Sequence, residues 1–75
     1  MEESQLEVCK SIADDLERQF GNLDLPLEYI DIVKVSLVAA KAIQKQIPMY
    51  VGNLNPKWAN YELTIKLLEG RLNGN

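Results

Sequence analysis

Residues 29–47 carry more apolar surface than one buried helix face can use, and this excess constrains the fold more than any other feature. Stepping about 100° per residue, Tyr29, Ile30, Ile32, Val33, Val35, Leu37, Ala39, Ala40, Ala42, Ile43 and Ile47 sweep roughly 240° of a helix. They leave one charged strip of Asp31, Lys34, Lys41 and Lys45. A helix apolar over so much of its girth needs cover from more than one side. The stretch Tyr29–Val35 is β-branched and partly alternating, so a strand competes with the helix there. Two features favour the helix. The charges align only at helical period, and Val38–Ile43, with its three alanines, is helix-favouring. Asp24 is expected to cap this element and Pro26 to sit in its first turn, with Pro48 ending it, which gives a helix over 26–47. It is expected to be the central helix of the fold.

Amphipathic segments stand on either side. Over 3–20, Leu6, Cys9, Ile12, Ala13, Leu16 and Phe20 recur at helical spacing and fill an arc of roughly 120°. Every charged residue falls outside that arc, and Glu7 with Lys10 and Asp14 with Arg18 are spaced for weak surface pairs. Gly21-Asn22 supplies a left-handed stop. The third helix is expected over 55–71, with Asn55 as cap and Pro56 at the first helical position. Trp58, Tyr61, Ile65, Leu68 and Leu72 line one face. On nearly the opposite side Ala59, Leu63, Leu67 and Gly70 form a smaller stripe. Lys57, Asn60, Thr64 and Arg71 separate the stripes on one flank, and Glu62, Lys66 and Glu69 on the other. Residues 73–75 read as a frayed tail. The pattern therefore predicts an all-α, three-helix single domain over 1–75, assembling into a helical dimer.

Size explains why association is expected. A chain of 75 residues buries a modest fraction of its surface and needs stabilisation beyond its own core. One cysteine, Cys9, excludes an intrachain disulfide, and the absence of histidine excludes a Cys/His zinc site. Regular packing and oligomerisation remain. No apolar run approaches the ~18 residues of a membrane span. The acidic N-terminus has no apolar segment behind it, so a cytoplasmic setting without membrane contact is expected. The net charge of −3 divides into −4 over residues 1–22 and +1 over the remainder. That balance gives no clustered basic field for phosphates, and nucleic acid is not the expected partner.

Chemistry-bearing residues are few. Cys9 lacks a histidine base and lies on an apolar face, which makes it a buried structural thiol. Asp14 and Asp15 diverge by about 100° on a helix and cannot share a metal. Glu62 and Glu69 sit a heptad apart on an exposed flank, with nothing nearby to prepare them for acid–base work. No glycine-rich phosphate loop, paired cysteine motif, calcium loop or nucleophile elbow occurs. An enzyme, a cofactor and a metal are therefore not expected. The helix end Ala42-Ile43-Gln44-Lys45-Gln46-Ile47-Pro48 resembles tails of small bacterial and phage proteins, a likeness over seven residues that implies no activity.

The leading reading is a non-enzymatic protein-interaction module, a homodimer of three-helix units. Its interface candidates are Ala59, Leu63, Leu67 and Gly70 on the third helix with Val35, Ala39 and Ala42 on the second. Met49, Tyr50 and Val51, apolar for a connection, either plug the core end or form a binding loop. An alternative is a small nucleic-acid-associated accessory protein of a mobile element, using the lysine ladder. A third is an apolar-ligand carrier using Trp58 and Tyr61, although a domain of this length has little room for a cavity of ~300 Å³.

Overall fold

In a computed structural model, which describes residues 4–48 and 55–74, the chain forms helices α1 (Gln5–Gly21), α2 (Tyr29–Gln46) and α3 (Pro56–Leu72). No strand occurs among the described residues, so the β-branched stretch after Tyr29 is helical. Each helix packs against the other two, which makes an all-α three-helix fold. Its core joins Ala13 and Leu16 of α1, Val33, Leu37 and Ala40 of α2, and Ile65 and Leu68 of α3. Ile12, Phe20, Ala39, Ile43, Tyr61 and Leu72 close around this cluster.

Helix ends follow local chemistry. Ser4 caps α1 by accepting a hydrogen bond from the Glu7 N–H at 3.2 Å, and Asn55 caps α3 through the Lys57 N–H at 3.0 Å. Each satisfies one of the amide donors that a helix start leaves unpaired. Pro56 follows at the first helical position, where its missing N–H costs nothing.

The expected starts and stops around α2 need correction. The helix begins at Tyr29, not near Pro26, and Asp24 does not cap it. Glu28 is the extended residue before the helix, and its N–H donates to the Asp31 carboxylate at 3.2 Å, one arm of a capping box. Pro26 serves the connection instead. It lies under the hydrogen bond from the Leu27 N–H to the Leu25 carbonyl (2.8 Å), a three-residue turn whose central φ matches the angle that a proline ring imposes. The stop after α1 is not left-handed. Asn22 keeps right-handed angles (φ −85°, ψ −6°), and its N–H closes on the Arg18 carbonyl at 3.0 Å. With the last turn satisfied this way, no residue there has to adopt positive φ.

The expected ranking of the helices also changes. α2 is not the most enclosed helix: α3 packs more extensively on each neighbour than α1 and α2 pack on one another. Thr64, placed on a polar flank by periodicity, is fully buried because α1 lies across that flank. The seam between α1 and α3 is accordingly polar. The Thr64 hydroxyl donates to the Asn60 carbonyl at 2.7 Å, and the buried Cys9 thiol donates to the same oxygen at 3.2 Å. Gln5 reaches the Asn60 side chain at 3.2 Å. Ser36, outside the expected core list, is likewise buried and donates to the Ile32 carbonyl at 2.7 Å. Each hydroxyl uses a carbonyl four residues back in its own helix, so among the described residues burial leaves no side-chain nitrogen or oxygen unpartnered. Leu6, in turn, was expected on the buried face of α1 and is 52% exposed, because the core begins one turn later at Cys9.

Candidate interaction surface

The three helices meet their neighbours through limited faces, and the outer face of α2 is left open. Val33, Ser36, Leu37 and Ala40 point inward. On the far side Val38 is 67% exposed, the highest value among the large apolar side chains described, and Ala42 is exposed beside it. Val35 and Ala39 are half-buried along one edge of this pair, and Ala39 also packs on the core. The exposed lysines 34, 41 and 45 and the half-buried Asp31 border the strip. Three of these residues, Val35, Ala39 and Ala42, are interface candidates from the sequence, and the structure brings them onto one surface. Val38 is not among those candidates, because helical periodicity sorts it among the lysines rather than with the apolar arc.

The α3 candidates behave differently. Ala59, Leu63, Leu67 and Gly70 lie together across the helix from the buried Thr64, Ile65 and Leu68, but all four are half-buried rather than open. At Gly70 there is room for a side chain, since a Cβ placed there would meet nothing within 4 Å. The stripes on α2 and α3 do not merge. Between them runs the α2–α3 seam, where Lys41 Nζ approaches the Glu69 carboxylate at 3.9 Å and Gln44 donates to the Trp58 carbonyl at 3.4 Å. Met49, Tyr50 and Val51 lie outside the described residues.

A second exposed apolar group stands at one end of the fold. Leu23 (48%) and Leu25 (57%) of the connection lead to Tyr29 (58%) and Ile30 (42%) in the first turn of α2. Beside them Arg71 ties the last turn of α3 to α1, through Glu17 at 2.6 Å and Asp14 at 3.0 Å. Arg71 and Glu17 are largely shielded, with side chains 22% and 14% exposed, whereas Asp14 is open at 67%. Asp14 therefore does not pair with Arg18 as its spacing suggested; Arg18 turns to Asp15 instead. Burial alone would lower the Arg71 pKa, but the hydrogen bonds and charges of Glu17 and Asp14 outweigh it and hold it above the ordinary guanidinium value. What burial Tyr29 has, followed by the adjacent Glu17 carboxylate, raises its phenol above the usual value. These groups form a structural clamp.

Among the described residues no cavity opens between the helices, and no three Cys, Asp or Glu side chains converge to hold a metal ion. No helix there is long and apolar enough to cross a membrane. Compared with known protein families, curated proteins and solved structures, the chain matches none.

Proposed function

We propose that this chain is a non-enzymatic protein-interaction module that acts as a homodimer. The observation that carries the reading is the outer face of α2, where Val38 and Ala42 stand in solvent with the half-buried Val35 and Ala39 along one edge. Apolar side chains grouped on one helix face, with a charged margin, make the kind of surface that association covers. A chain of 75 residues without a disulfide also gains most from adding a partner's core to its own. Twofold pairing is the commonest way for a small protein to obtain that cover.

The lysine ladder supports this reading better than a nucleic-acid one. Lys41 is drawn toward Glu69 of its own chain, and Asp31 continues the same strip, so the surface has mixed sign. A phosphate-tracking face carries one sign. Light scattering or sedimentation of the purified chain from low to high micromolar concentration tests the proposal. A mass near twice 8.5 kDa at the upper end is expected, and a strictly monomeric particle throughout would refute it.

A further inference from the structure

We infer that the α2 surface pairs with α2 of a second copy, antiparallel, about a twofold axis beside Val38. The inference rests on the homodimer reading and specifies its geometry. Along the open face of α2, Asp31, Val35, Val38, Ala42 and Lys45 recur at alternating spacings of four and three residues. That is the seam of a two-helix coil, which presents one continuous stripe to a neighbouring helix. Val38 is its centre and its most exposed large apolar member. Asp31 lies one heptad before it and Lys45 one heptad after.

Charge selects the direction. In an antiparallel pair centred on Val38, Asp31 of each copy meets Lys45 of the other, so the twofold makes two opposite-charge contacts. A parallel pair would set Asp31 against Asp31 and Lys45 against Lys45, and like charges opposed across an interface select against that arrangement. Side-chain size agrees. Ala39 and Ala42 bring no bulk, so the two backbones can approach until the valines interlock. A contact through one helix pair falls below the ~1,200 Å² of stable complexes, so a concentration-dependent dimer is expected.

Sedimentation of the full chain and four sets of variants tests this. V38K places a charge on the axis, and a loss of affinity of roughly a hundredfold is expected, with circular dichroism unchanged because the site is exposed. K45E alone and D31K alone each replace attraction by repulsion, and weakening of about tenfold is expected for each. Mixed together, these two chains have opposite charges at both contacts, and a heterodimer should form more readily than either homodimer. Asp31 also caps α2, so D31K can lose helicity. V38C therefore provides a second measurement: oxidation should join two copies through residue 38 faster than through residue 66 in K66C, a site on α3. If the wild type is monomeric, the homodimer reading itself falls. If the wild type is dimeric while V38K and V38C behave like controls, that reading stands and the α2 geometry is overturned. Monomerisation by L63K with L67K, without effect of V38K, would overturn it in favour of α3.

Discussion

Thr64 and Val38 show where reading residue by residue succeeds and where it stops. Helical spacing assigns a side chain to an angle, and the apolar arc of α3 was legible at Ile65 and Leu68, which are buried, and at Tyr61 and Leu72, which pack on the core. Spacing carries no information on which flank a neighbour covers. Thr64 looked polar and is buried under α1; Val38 sorts by spacing with the charged strip and is open apolar surface. The hydroxyls of Thr64 and Ser36 can be buried because each is satisfied within its own helix, a property that composition does not reveal. Leu68 is fully buried at the centre of the cluster, so L68A should destabilise the fold by about 2–5 kcal/mol, measurable by urea unfolding. Tyr29 offers a pH test. Its folded pKa lies above 10.0, so at alkaline pH the unfolded chain loses its phenolic proton first. Stability from this group is intact below that pH and should decline as pH rises past it. E17Q removes the carboxylate that contributes to the shift, and absorbance titration of Tyr29 should then move back toward the ordinary value.

Among the helices, type and order were legible, while boundaries were legible only where capping chemistry is unambiguous. Asn55-Pro56 located the start of α3 because an Asn cap followed by proline has few other uses. Asp24-Leu25-Pro26 offered the same signature and was misleading, since proline suits a tight turn as well as a first helical turn. Glu28 and Asp31 take over the capping. Gly70 gives a test at this scale. It lies within α3, and a Cβ there meets nothing within 4 Å. G70A should therefore raise stability by about 0.5–1 kcal/mol through helix propensity and reduced freedom of the unfolded chain, read as a higher urea midpoint.

For the molecule as a whole, the excess of apolar surface on α2 was legible, and its fate was not. Periodicity alone could not distinguish a helix enclosed by its own chain from one with an exposed apolar face. Tertiary packing decides this: α1 and α3 cover only the Val33, Ser36, Leu37 and Ala40 side. If association completes the fold, stability must follow mass action, and a tenfold rise in chain concentration should raise the thermal midpoint by a few degrees. A midpoint independent of concentration would show that the domain melts without reference to a partner. The capping contact at the start of α2 has its own consequence in this setting. Asp31 secures the first turn through the Glu28 N–H and is also the acid that Lys45 of another copy would meet. Pairing and ordering of that turn then become a single thermodynamic event, in which each makes the other more favourable. Amide hydrogen exchange at Ile32, whose N–H donates to the Glu28 carbonyl at 3.1 Å, should slow as chains associate, so one backbone proton far from the Val38 axis would report occupancy of the whole surface.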